Sequence, residues 1–398
     1  MRVAFTNNFF PPRVSGSAHL TEELARRLTR RGVEVLVVTT GPGNVPTEES
    51  RDGYRVARLP SWDLPKTRLS FSFDIPLAVR PRNVRHLGRT LDAFAPDVLH
   101  QHGQFFDLTF MSSVWARRRK TPTVLSVHTR LEHPTRAYGK VLASADRTLV
   151  RAFMEISRPH VVVMDTPMRE YITRRYRVPE QRMAPIPVGV EPPTAIKSAG
   201  SVVRERIGAG DRPLVLSVGH VIPVRDRLGL VEALPAILEK RPDAIVVVVG
   251  HVYDDRFLRR SEELGVRNHI ILTGSVPRAE IPCFISAADV EIHELQGHGL
   301  GTASLEVMAS GVPVVAVVRP DNFPDVVLRS WENIVLVRPE DPKMLAEAVI
   351  RLLDDPELAG RVAAGQQRLV HDHFTLDVVT DAHVALYERV LAASRSVG

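Results

Sequence analysis

The chain has 398 residues, enough for two to three domains at roughly 150 residues each; with 44% hydrophobic and 25% charged residues it reads as a soluble globular protein and not as a disordered or fibrous one. Its one cysteine, Cys283, excludes an internal disulfide, its apolar runs fall far short of the ~20 residues that span a bilayer, and Asn7, Asn8 and two prolines break up any signal-peptide core, so the expected setting is cytoplasmic. The net charge of +6 conceals a basic half: residues 1–190 carry 30 Lys and Arg against 17 Asp and Glu, the remainder 22 against 29.

That asymmetry fits an anionic partner for the first half, either an acidic acceptor or peripheral contact with the inner face of a membrane; it equally fits arginines scattered over solvated faces. Arg117–Arg118–Arg119–Lys120, with Trp115 beside them, is the densest basic cluster. No nucleic-acid-binding module accompanies the charge.

In chain order, Val3–Phe5 reads as a short strand and 9–17 as a loop. A helix is expected over 18–31, with Leu20, Leu24 and Leu28 four apart and Glu22, Glu23, Arg26 and Arg27 facing outward. Gly32 ends it, and 33–40 is a continuous apolar strand of the kind buried on both faces of a parallel sheet. Strand-like runs follow at 97–100, 123–128 and 160–164, separated by helical stretches. This is the alternation of a doubly wound domain.

The prolines of 185–193 resist helix and sheet, and the chain then turns polar, which places an interdomain linker at 191–205. A second alternation follows: strands at 213–219, 244–250, 269–274, 288–294 and 312–317, with helices over 228–239, 255–264 and 302–309. Residues 341–392 are expected to be mainly helical. The expected domains are therefore 1–190 and 206–375, both Rossmann-like, with a terminal helix in 376–398 packing back on the first. Two such halves facing one another form a cleft lined by the carboxyl ends of their strands, where open α/β sheets bind ligands.

The segment 298–313, HGLGTASLEVMASGVP, carries the strongest chemical signal. Gly297, Gly299 and Gly301 permit close backbone approach, Thr302 is placed to cap a helix, and a helix N-terminus after such a loop is an anion site. No Lys-Ser/Thr follows, so it is not a P-loop. Glu306, one turn in, could accept two hydrogen bonds from a ribose diol. No GxGxxG follows the first strand with an acidic residue beyond it, which argues against a nicotinamide enzyme. His100 and His102 lack a third ligand at a recognisable spacing, so no metal is assigned, and no cofactor is expected.

This stretch resembles the EGFGLxxLEAMAxGxPV signature of family 4 glycosyltransferases, which have the GT-B fold. His298 stands at the first glutamate, Glu306 at the second, and Gly299, Gly301, Met308, Ala309, Gly311, Pro313 and Val314 complete the match. The likeness runs along nearly the whole chain: Pro12, Gly16, Leu24, Ala25, Leu28, Gly32, Glu34 and Val35 meet the N-terminal signature, followed by PDVLHQHG, VLSVHT, VGHVIPVR for VGRLxPEK, and Ala288–Asp289.

The resemblance implies a retaining transfer of sugar from a nucleoside diphosphate to a hydroxyl of a small-molecule, saccharide or lipid-linked acceptor, the acceptor bound by the first domain and the donor by the second. Glu306 would bind ribose, the amides of Thr302 and Ala303 the diphosphate, and His220 and Arg225 the leaving phosphates, with Arg227 as either a replacement cation or a solvated helix-start arginine. Gly16 would let the backbone approach the donor, and His128 would reach the reacting sugar. His298, in place of a glutamate that usually contacts the sugar, leaves the donor sugar open. Neither Glu291 nor Glu294 replaces that glutamate. Two alternatives remain at this level: a non-catalytic nucleotide-sugar-binding partner, and a GT-B-fold sugar-nucleotide epimerase.

Overall fold

The computed structural model describes residues 1–13, 15–64, 75–130, 136–192, 197–223, 225, 227–292, 295–297 and 299–395. Two compact units emerge, one made of Met1–Val188 with Leu376–Gly398 and the other of Gly189–Thr375.

The first unit is built on β1 (Arg2–Asn7), β2 (Glu34–Gly41), β3 (Thr47–Arg51), β4 (Tyr54–Pro60), β5 (Val98–His102), β6 (Thr123–Ser126), β7 (His160–Val163) and β8 (Met183–Pro185). They form one sheet in the order β8-β7-β6-β5-β1-β2-β4-β3. Neighbours are parallel except β3 and β4. Val35, Leu36, Val37 and Val38 are all buried, as a strand covered on both faces requires. The sheet grows outward in both directions from β1, through β2 on one side and β5 on the other. Their carboxyl ends, near Asn7 and His102, therefore mark a topological switch point.

The β3–β4 hairpin lies outside the elements expected from sequence. It turns on Asp52 and Gly53, both at positive φ (49° and 86°), and Asp-Gly is the pair that such a tight hairpin turn favours. That dipeptide was the available signal.

Helix α1 (Gly16–Arg30) starts at Ser15, whose hydroxyl accepts the Ala18 amide at 3.0 Å. Its polar side is less solvated than the periodicity suggests. Glu22 and Arg27 are each only 9% exposed, Glu22 pairing with Arg51 at 3.0 Å and Arg27 with Asp377 at 2.7 Å. Asp377 belongs to a terminal helix, Leu376–Arg395, which covers this face. Val379, Leu386, Tyr387 and Val390 of that helix pack with Val3, Phe5, Leu24 and Leu28 in one apolar cluster. The periodicity located the helix, but no local pattern could show a neighbour about 350 residues away.

In the second unit β9 (Leu214–Val218) lies between β10 (Ile245–Val249) and β12 (Val290–Glu291), with β11 (Ile270–Gly274) outside β10, all parallel. β13 (Val315–Ala316) and β14 (Val335–Leu336) form a further parallel pair, reached from β12 through the Glu291 amide on the Pro313 carbonyl at 2.9 Å.

The expected linker over 191–205 differs in the structure. Its second part forms α2 (Lys197–Arg206), which belongs to the second unit and buries Val203 in that unit's core. The prolines end at Pro193, so nothing beyond them forbids a helix. Gly200 packs so closely on the Ser286 carbonyl that a Cβ has no room. Gly200→Ala is therefore expected to destabilise the second unit by about 1–3 kcal/mol, although alanine is the better helix former. Chemical denaturation checks this, and a stabilised variant would contradict the packing.

The basic cluster ends the helix Asp107–Arg119. Trp115 Nε1 donates to Asp92 at 2.9 Å, Arg119 pairs with the same carboxylate at 2.7 Å, and Arg117 donates to the Ile156 carbonyl at 3.0 Å. Much of the cluster thus serves contacts within its own unit. Among the described residues no helix is long and apolar enough to cross a membrane.

Candidate active site

In the second unit the glycine-rich loop leads into α4 (Thr302–Ser310). Gly297 and Gly299 sit at φ 70° and 104°, a region in which side chains are strained. Gly301 does not: it is the N-cap at φ −85°, and a Cβ there would meet open space. Thr302 is the first helical residue and not the cap expected from sequence. Among the described residues no side chain caps α4, so the Thr302 and Ala303 amides lack the acceptors that the helix itself cannot supply. His298 and Glu294 lie outside the described residues.

One turn along α4, Glu306 is half-buried and pairs with Arg278 Nη2 at 2.8 Å. Burial raises its carboxyl above the usual range, and Arg278 opposes that shift. Sequence reading missed Arg278, which lies 28 positions upstream on a different element with no pattern linking the two. A half-buried carboxylate one turn from uncapped amides presents an acceptor and a set of donors side by side, which suits a ribose joined to phosphate.

The carboxyl ends of β9 and β10 are pinned together through Gly219 and Gly250. A Cβ on Gly250 would fall 2.5 Å from the Gly219 carbonyl oxygen. His220 and His251 follow these glycines, their rings stacked at 5.9 Å. The His251 amide donates to His220 Nδ1 at 3.0 Å. Because Nδ1 accepts, a neutral His220 carries its proton on Nε2 and offers an N–H donor without being charged. The tripeptide Val-Gly-His occurs at both 218–220 and 249–251, and that repeat was the signal that could have revealed His251.

Arg225 is exposed and closes a tight turn, its amide donating to the Ile222 carbonyl at 2.8 Å. Arg227 overturns the solvated alternative: only 1% exposed, it caps α3 (Leu228–Lys240) from inside the fold. Its Nε donates to Ser217 Oγ at 2.9 Å and its Nη1 to the Arg225 carbonyl at 2.7 Å. It therefore braces the turn that presents Arg225.

In the first unit Gly16 is exposed at the start of α1, and a Cβ there would meet nothing within 4 Å. His128 follows β6, half-buried, beside a cluster that sequence reading left scattered. His102 Nδ1 lies 2.9 Å from His128 Nε2. His100 bonds Tyr387 OH at 2.7 Å through Nδ1 and Ser126 Oγ at 2.8 Å through Nε2. His383, on α5 (Leu376–Arg395), stacks on His100 at 5.5 Å and donates to the Val379 carbonyl at 2.7 Å. Burial, then repulsion from His383, pushes His128 down to about 4, and burial does the same to His383. His100 and His102 fall well below the usual histidine range, through burial first and their histidine neighbours second. All four are neutral near pH 7.

Two family models match the chain: Glycosyltransferase Family 4 over residues 14–193 and Glycosyl transferases group 1 over 203–368. The chain belongs to glycosyltransferase family 4. This glycosyltransferase is 29% identical to a GDP-mannose-dependent alpha-mannosyltransferase of Mycolicibacterium smegmatis over 98% of both chains. It is 25% identical to alpha-D-kanosaminyltransferase of Streptomyces kanamyceticus, over 93% of this chain and 99% of that one. A GDP-mannose-dependent alpha-(1-6)-phosphatidylinositol monomannoside mannosyltransferase of M. smegmatis is 34% identical over 44% of this chain, which spans about half of that relative's length (46%).

Among solved structures, Anabaena HepE in complex with UDP superposes with a TM-score of 0.71 at 16% identity, covering 98% of this chain and 100% of that one. The fold of this glycosyltransferase is GT-B.

Proposed function

We propose that this glycosyltransferase is a retaining enzyme that moves a sugar from a nucleoside diphosphate to an acceptor hydroxyl bound by its first unit. The observation that carries the reading is the position of Glu306 one turn along α4 from the uncapped amides of Thr302 and Ala303. Two of the relatives named above are described as GDP-mannose-dependent, so GDP-mannose is the first donor to test.

In this reading Glu306 accepts the ribose hydroxyls and the α4 amides hold diphosphate. Arg225 and the Nε2–H of His220 stabilise charge that builds on the leaving phosphate as the anomeric carbon becomes oxocarbenium-like. The exposed Arg225 supplies a permanent charge in a planar fork; His220 supplies a neutral donor. Gly16 admits the donor closely, and His128 meets an oxygen of the transferred sugar. The leaving phosphate itself serves as the base for the acceptor hydroxyl, and no protein nucleophile is required.

The test is thermal stabilisation by GDP-, UDP-, ADP- and dTDP-sugars, with Glu306→Ala as control. A ligand at 100 times its Kd adds about 2.7 kcal/mol. The expected result is a shift with one nucleotide class that the variant loses. No shift with any of them at saturation would refute the donor site. Retention is checked separately by the anomeric configuration of the product by NMR, and an inverted product excludes it.

A further inference from the structure

We infer that His102 is a positioning residue: its Nδ1–H donates to Nε2 of His128 and so keeps the His128 proton on Nδ1, the ring nitrogen left to meet a sugar oxygen. The inference rests on the proposed role of His128, and it adds a tautomer and a second histidine that hold that role in place.

The geometry fixes the direction of the bond. His102 Nδ1 and His128 Nε2 are 2.9 Å apart, and one of them must donate. The other nitrogen of His102, Nε2, is buried and has no hydrogen-bond partner among the described residues. His102 is 3% exposed, with its ring against His100 at 4.4 Å, Phe5 at 5.5 Å and His128 at 5.2 Å. His100 cannot serve it, because both His100 nitrogens are engaged with Tyr387 and Ser126.

If Nε2 of His102 carried the proton, an N–H would be buried against rings with no acceptor, an arrangement folded proteins rarely tolerate. The proton therefore belongs on Nδ1, pointing at His128. His128 Nε2 is then the acceptor, and a neutral His128 must carry its proton on Nδ1. His128 thereby becomes a fixed hydrogen-bond donor towards the sugar and not a general base. The depressed basicity of both rings agrees with a neutral pair.

The first experiment reads the tautomer in the ligand-free full chain, by long-range 15N–1H correlation of histidine-labelled protein, with His128 assigned through His128→Gln. Protonation at His128 Nδ1 is expected; protonation at Nε2 overturns the inference. The second measures GDP release from GDP-mannose. His102→Leu should lower kcat by about tenfold to 100-fold with little change in KM. His102→Asn places an amide N–H near the lost Nδ1–H and should recover most of that loss. Equal kcat in the two variants would count against positioning, whereas thermal melts of both separate misfolding from misplacement. If the wild type releases no GDP, GDP-mannose is not its donor, and the spectrum still decides the tautomer on its own.

Discussion

Arg225→Ala is expected to lower kcat for sugar transfer by about 10²–10³-fold, the loss seen when one preorganised donor to developing negative charge is removed. The expectation follows from position and charge together. Arg225 is exposed at the end of a turn closed by its own amide on Ile222. Its carbonyl is held from below by the buried Arg227. His220, which stands where the family carries an arginine, is tied through Nδ1 to the His251 amide and contributes a donor but no permanent charge. Arg225 is thus the exposed permanent cation of that segment.

Arg225→Lys keeps the charge but loses the two-pronged fork, and its loss should be about tenfold. Steady-state kinetics with GDP-mannose, alongside a melt of each variant, separates these outcomes. An alanine variant with near wild-type kcat would remove Arg225 from the reaction.

The second large effect is acid instability of the first unit. His100, His102, His128 and His383 are neutral in the fold, and among the described residues no carboxylate is one of the groups that shift any of the four. In the unfolded chain each binds a proton near pH 6.5. The folded-state values are lowered, so the unfolded state holds more protons, and stability falls as pH falls below about 6.5. For His128 and His383 the loss continues until the fold itself protonates at about 4. Each proton contributes about 1.4 kcal/mol per pH unit, and four together reach roughly 5 kcal/mol per pH unit as an upper value.

Urea titrations between pH 7.5 and 5 on a Trp331→Phe variant read this directly, since Trp62 and Trp115 both lie in the first unit. A steep fall in midpoint is expected. In the converse variant that keeps only Trp331, which reports the second unit, the fall should be smaller. A midpoint for the first unit that is flat across that range would contradict the neutral cluster.

The sequence by itself determined much of the architecture. Short, valine-rich apolar runs such as Val35–Val38 and Ile245–Val249 read as strands covered on both faces, and their alternation with amphipathic segments leaves a doubly wound sheet as the economical solution. It also located α4 and Glu306, because a glycine loop, a helix start and a carboxylate one turn later lie within ten residues of one another. These signals are local, carried by spacing along the chain.

What only tertiary structure decided lies at long sequence separation. Periodicity placed Arg27 on an outward face, and α5 covers that face from about 350 residues away. The proline-rich segment read as a linker, and its continuation folds as α2 because Gly200 and Val203 find a surface near Ser286. Arg227 read as either a replacement cation or a solvated helix-start arginine, and the fold draws it inward to Ser217 and the Arg225 carbonyl. His100 and His102 stand on one strand, His128 just past the end of a second and His383 on the terminal helix, and only packing stacks them. Burial and mutual repulsion, which set their protonation, exist only once that packing is made.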